Sequence, residues 1–223
     1  MKTLLVGSLL LGLSLSAQAV TRADLDARLR SFATKFDAMQ SKPDKRIPAQ
    51  LLRQAHGIIL VQQSRGGLIV GYQGGNGIAM VREPGTGNWG PPIFLTVNEG
   101  TFGAQVGGQT SFMVILLMNG NVNNLIAEAQ TGFGQELRGT AGNESTGQRF
   151  NNTPPGQQVL IYSDTSGLYG GAIAKTGGLS PDADADAAYY GQYLTPGEIL
   201  PGQRVKPTQA SSYLADTINK FSK

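Results

Sequence analysis

The sequence predicts an α+β fold: a glycine-rich antiparallel β-barrel or sandwich flanked by N-terminal and C-terminal helices. Three observations carry that expectation. Apolar residues recur at steps of three and four near both ends, short apolar runs follow one another through the middle, and many of the 31 glycines punctuate those runs. Helical periodicity at the ends with evenly broken strands between them places helices around a central sheet.

The first nineteen residues carry Lys2, an apolar run from Leu4 to Leu15 and the small-residue stretch Ser16, Ala17, Gln18, Ala19. That order is expected of a secretory signal peptide cleaved before Val20. The run is shorter than the roughly 20 apolar residues a bilayer span needs. Cysteine is absent, so no lipid-modified cysteine or disulfide is expected. The expected organisation is a signal peptide over 1–19, a basic amphipathic helix and connector over 20–46, and one larger domain over 47–223, long enough to bury a core without covalent staples. The expected location is outside the cytoplasm, periplasmic or secreted, with peripheral attachment to a membrane.

From Thr21 to Gln40, Leu25, Leu29, Phe32, Phe36 and Met39 form one apolar stripe, and Thr21 with Asp24 has the spacing of a capping box. Ile47 and Pro48 mark the start of a second helix that Gly57 ends. GIILVQQ, LIVGYQ, GIAMVRE, PIFLTVN, FGAQVGGQ and SFMVILLM then read as six strands. Asn121 to Gln130 reads as a short helix, 139–156 as a loop, VLIYS and GLYGGAIA as two further strands, and Pro207 to Phe221 as a closing helix.

Chemistry-bearing motifs are few. With one histidine and no cysteine, zinc sites, cysteine nucleophiles and histidine triads lack their parts. His56, just before Gly57, suits a place at a helix C-terminus. The carboxylates Glu83, Glu99, Glu128, Glu136 and Glu144 show no acid/base spacing. GGLIVGYQGGNG resembles a phosphate loop, but Ile78 to Val81 continue as a strand where a helix is required. Asp182, Asp184 and Asp186 alternate as at the start of a calcium loop, yet Ala187 and Tyr193 stand at its sixth and twelfth positions, so a solvated acidic loop is expected. Trp89, in GNWGPP, suits packing beneath the proline pair. No catalytic residue, metal or cofactor is expected.

Charge is distributed unevenly. Residues 20–82 hold ten basic and four acidic side chains, whereas 83–223 hold seven and eleven. An exported chain with a basic N-terminal end points to an anionic membrane surface, not to nucleic acid. The expected electrostatic contacts are Arg22, Arg28, Arg30, Lys35, Lys42, Lys45 and Arg46, with Leu25, Leu29, Phe32 and Phe36 available for apolar insertion if the helix undocks. The alternative is a structural envelope protein whose β-fold binds a protein partner.

Several segments, in order, resemble the SYLF domain, a lipid-binding family that includes yeast actin-patch regulators and many exported bacterial proteins. They are IPAQLLRQAHGIIL, GGLIVGYQGGNG, NWGPP, FGAQVGGQ, YSDTSGLYGGAIAKTGG, AAYYG and EILPG, together running from about Ile47 to Leu214. The resemblance implies binding of phospholipid or phosphoinositide, often helped by an N-terminal amphipathic segment, and implies no catalytic residues.

Overall fold

The computed structural model describes residues 19–67, 70–102, 105–118, 148–149, 159–171 and 174–223. Seven strands make one sheet: β1 (Gly57–Gly67), β2 (Val70–Val81), β3 (Ile93–Phe102), β4 (Gln105–Leu117), β5 (Gln148–Arg149), β6 (Val159–Gly171) and β7 (Ala174–Pro181). Their order is β5-β6-β4-β1-β2-β3-β7, and every pairing is antiparallel. The helices are α1 (Arg22–Gln40), α2 (Ala49–Gln54), α3 (Ala183–Tyr190), α4 (Pro196–Ile199) and α5 (Gln209–Lys220). The α+β class, the antiparallel pairing and the flanking helices are as the sequence predicts. Between the expected barrel and sandwich the structure takes neither form of closure: the described strands make a single open sheet ending on β5 and β7.

Alternation along the strands gives this sheet two buried faces at one end. Ile58 and Leu60 of β1 join Met80, Phe94, Val114 and Leu116 under the apolar stripe of α1 and residues Ala210, Leu214 and Ile218 of α5. Ile59 and Val61, one residue out of phase, join Ile93, Leu95, Ile115, Leu117, Ile199 and Leu200 on the opposite face. The terminal helices pack together: the Phe36 and Phe221 rings meet edge to face at 6.0 Å, and Lys220 Nζ lies 2.6 Å from Asp37 Oδ1.

Strand lengths depart from the sequence expectation. LIVGYQ and GIAMVRE belong largely to one strand, β2, and most of FGAQVGGQ is continuous with SFMVILLM in β4. The reason is close approach of chains, not turning. A Cβ at Gly75 would stand 2.1 Å from Gln62 O, and one at Gly77 would stand 2.9 Å from Leu60 O, so these glycines sit inside a strand where a side chain has no room.

The expected signal peptide falls almost wholly outside the described residues, as does the expected helix at Asn121 to Gln130. Of the expected loop at 139–156, only Gln148 and Arg149 are described, and they form β5. Among the described residues no helix is long and apolar enough to cross a membrane.

Candidate membrane-contact surface

Helix α1 is set by its first turn. Thr21 N donates to Asp24 Oδ2 at 3.0 Å and Asp24 N to Thr21 Oγ1 at 3.2 Å, a reciprocal capping box. The Thr21 hydroxyl, donating to Asp24 Oδ2 at 2.6 Å, and after it the Thr21 N–H hold the Asp24 carboxyl below its usual range. From that start the stripe of Leu25, Leu29, Phe32 and Phe36 turns to the sheet, and all four are no more than 1 % exposed. Phe32 meets Phe112 with ring centroids 6.1 Å apart.

The four residues expected to be available for apolar insertion are therefore core residues. Exposing four such side chains costs on the order of 6–12 kcal/mol at about 1.5–3 kcal/mol each, which approaches the whole stability of a typical domain. Insertion by α1 would require that undocking, so the stripe is the floor of the domain in this state.

The seven expected basic contacts all lie on α1 and the connector after it, but in different settings. Arg22, Arg30, Lys42 and Arg46 are exposed, whereas Arg28, Lys35 and Lys45 are half-buried. Arg22 lies 5.6 Å from the centroid of Tyr189 and Arg28 lies 5.7 Å from that of Phe94, so both also serve the packing of α1 on α3 and β3. Burial pushes the Arg28 pKa down, opposed by the nearby Asp182 and Asp24 charges. Lys35 Nζ donates to Ser31 Oγ at 3.2 Å, Lys45 lies 3.9 Å from Asp44, and Arg46 Nε donates to Gln40 O at 2.9 Å. Lys42 Nζ reaches Asp164 Oδ2 of β6 at 2.6 Å. An exposed pair of this kind contributes only about 0–1 kcal/mol, so Lys42 can exchange its partner for another anion at little cost.

His56 does not cap α2. Its backbone joins the sheet, N donating to Leu117 O at 2.8 Å and O accepting from Arg82 N at 2.9 Å. The carbonyls at the end of α2 are taken by Arg82 instead, whose Nε donates to Ala55 O at 2.9 Å and Nη2 to Leu52 O at 3.1 Å. Trp89 is only 4 % exposed, a packing role as the sequence suggests.

The three alternating aspartates separate on a helix, not the expected acidic loop. Asp182 caps α3, its Oδ1 accepting from Ala185 N at 3.0 Å, and Asp184 accepts from the Tyr193 hydroxyl at 3.4 Å. Asp186 is 1 % exposed and accepts from Phe94 N at 2.8 Å, fixing α3 to β3. Burial raises its pKa to about 7, against the lowering effect of the Phe94 N–H, and the Asp182 charge raises it further. Beside it the Tyr190 hydroxyl donates to Pro92 O at 2.5 Å, and burial raises that phenol as well. The Tyr189 hydroxyl bonds to Asp26 at 3.1 Å and to Thr208, and burial pushes its pKa up to about 12. Among the described residues no group of three His, Cys, Asp or Glu side chains is placed to hold a metal ion.

Residues 98–221 match the Ysc84 family, described as Las17-binding protein actin regulator. The chain is 26% identical over 203 residues to the SH3 domain-containing YSC84-like protein 1 of Xenopus laevis, covering 84% of this chain and 57% of that protein. It is 25% identical over 192 residues to the human protein of the same name, covering 81% and 53%. It is 23% identical over 190 residues to Protein YSC84 of Saccharomyces cerevisiae, covering 83% and 40%. The chain thus spans about half the length of the curated relatives it matches. No solved structure matches it.

Proposed function

We propose that this chain, which belongs to the Ysc84 (SYLF domain) family of Las17-binding protein actin regulators, is a non-catalytic protein that binds anionic phospholipid or phosphoinositide peripherally at an envelope membrane after export. One observation carries the lipid reading: Arg22, Arg30, Lys42 and Arg46 are each exposed along α1 and the connector that follows it. Each cation near an anionic bilayer contributes on the order of 1 kcal/mol, so four supply a weak, salt-sensitive attraction. Export rests on the Leu4 to Leu15 run and the Ala17, Gln18, Ala19 site.

A sedimentation assay with vesicles of phosphatidylcholine, with and without phosphatidylglycerol, tests it. Binding is expected only to the anionic vesicles and is expected to weaken with salt. Changing Arg30, Lys42 and Arg46 together to Gln should reduce both the binding and its salt response while leaving the circular dichroism unchanged. Binding indifferent to vesicle charge would reject the reading. The second reading, a protein partner met by the β-fold, is favoured by the family's description as Las17-binding. It predicts no sedimentation with either vesicle.

A further inference from the structure

Helix α3 has eight residues, ADADAAYY, and a helix of that length does not hold together in water by itself. Its contacts therefore decide whether it forms. Asp186, Tyr189 and Tyr190, at helical steps of three and four, share one face, and their polar ends fasten α3 to its neighbours. Asp186 Oδ1 accepts from Phe94 N of β3 at 2.8 Å, and the Tyr190 hydroxyl donates to Pro92 O at 2.5 Å. The Tyr189 hydroxyl meets both Asp26 of α1, at 3.1 Å, and Thr208, the N-cap of α5. The Tyr189 ring stands edge to face on Phe94 and on Tyr190, 5.0 Å from each. One short helix thus joins the sheet to the starts of both terminal helices.

The weak point of this junction is Asp186. It is 1% exposed, and among the described residues no basic side chain forms an ion pair with it. The charges around the junction do not supply a cation for it. Helix α3 brings the Asp182 carboxylate one turn away and the phenols of Tyr189 and Tyr190, whereas residues 91–97, leading into and along β3, bring no charge. From α1, Arg28 lies over Phe94 with Asp182 and Asp24 as its counter-charges, and Arg22 lies over Tyr189, whose hydroxyl Asp26 holds. From α5 comes the uncharged Thr208. One N–H offsets only part of the cost of keeping a carboxylate out of water, so burial raises the Asp186 pKa from the ordinary 3.8 to about 7.

We propose that α3 is a pH-operated latch, closed on β3 while the Asp186 carboxyl is protonated and opened by its ionisation, and that opening unties the starts of α1 and α5 through Tyr189. The latch does not depend on the lipid reading above. Opening places Asp186 in water, where it ionises from its ordinary value, so rising pH favours the open form between that value and about 7 and adds nothing beyond. Opening also takes Asp182 away from Arg28, which leaves the start of α1 more positive.

Amide hydrogen exchange of the wild-type protein, corrected for the intrinsic pH dependence of exchange, tests the latch. Opening read at residues 187–190 should rise on the order of a hundredfold between about pH 5 and about pH 8, while β1 and β4 stay far more protected. The amides of Ser211 and Ser212 should follow α3. The rise should level off at the pH where the Asp186 carboxyl carbon titrates by NMR. Asp186→Asn should abolish the pH response of α3, and Tyr189→Phe should keep it while removing that of Ser211 and Ser212. Exchange of α3 that ignores pH, that keeps its pH response in Asp186→Asn, or that changes only in step with β1 and β4 overturns the proposal. So does an α3 that opens in the wild type without any response of Ser211 and Ser212. If Asp186→Asn does not fold, the wild-type protein decides alone: an opening that levels off away from the Asp186 titration overturns the latch.

Discussion

The guanidinium of Arg82 lies over the ring of Trp89, 4.3 Å from its centroid, and from there joins three segments. Its other contacts are the carbonyls of Leu52 and Ala55 at the end of α2 and that of Gly87 in the turn, the last at 2.6 Å from Nη1. A lysine ammonium is a point charge and cannot span these three acceptors while stacking on the indole. Arg82→Lys should therefore destabilise the fold, and Arg82→Ala should cost about 2–4 kcal/mol through the lost stacking and the unpaired carbonyls. Urea unfolding followed by Trp89 fluorescence measures both. A loss under about 0.5 kcal/mol, the range of ordinary surface changes, would show that the arginine is only decorating the turn.

The buried Asp186 carboxyl makes stability depend on pH in an unusual direction. Its folded pKa of about 7 lies above the ordinary 3.8. The folded state therefore holds the proton that the unfolded state releases. The stability this contributes is complete below pH 3.8 and is lost as pH rises through about 7. Asp186→Asn keeps an oxygen for Phe94 N and removes the titration. The variant should lose the decline in melting temperature between mildly acidic and neutral pH, and should melt higher than wild type above neutrality. An unchanged slope would place the titration elsewhere.

How much was legible in the sequence differs from element to element. Helix α1 could be read closely because its signals are local: Thr21 with Asp24 at the start and a stripe at helical spacing. The strand count could not, because Gly75 and Gly77 look like punctuation in one dimension and are sites of close chain approach in three. In the closing helix Leu214 and Ile218 are buried whereas the neighbouring aromatic Tyr213 is 53% exposed, a difference that residue type alone does not announce. The basic residues of the candidate site were legible as charge, but their settings were not. Lys42 meets Asp164 across 122 positions of sequence, and Arg28 meets Phe94 across a layer boundary. Arg82 was missed altogether because all its side-chain acceptors belong to other segments, and no local pattern announces a residue of that kind.

Two glycine substitutions separate chain approach from chain flexibility. At Gly75 an added Cβ would meet the Gln62 carbonyl oxygen at 2.1 Å, a backbone atom that cannot swing away. Gly75→Ala should cost about 3 kcal/mol or more, as overpacking of an inner strand does. Gly197, in α4, has nothing within 4 Å of such a Cβ. Its replacement by alanine should stabilise by about 0.4–1 kcal/mol through the unfolded chain. Equal effects at the two sites, measured by thermal melting, would mean that the β1–β2 register is not as described.

The last prediction concerns whether α1 leaves the domain when a membrane is present. Leu25, Leu29 and Phe36 are 0% exposed and Phe32 1%, and α1 is further tied by the Lys220–Asp37 pair and the Phe36–Phe221 contact to α5. Phe32→Ala should cost about 3–5 kcal/mol of stability, the usual result of emptying a buried aromatic site, whereas Arg30→Gln should stay within about 0.5 kcal/mol of wild type because that side chain is exposed. Hydrogen exchange in the presence of anionic vesicles gives the decisive comparison. Amides from Leu25 to Gln40 should keep their protection on vesicles as they do in solution, since anchoring through four or so surface charges supplies too little free energy to undock the helix. If protection in α1 falls when vesicles are added while that of β1 and β4 is retained, the helix does undock, and the apolar stripe becomes the membrane anchor.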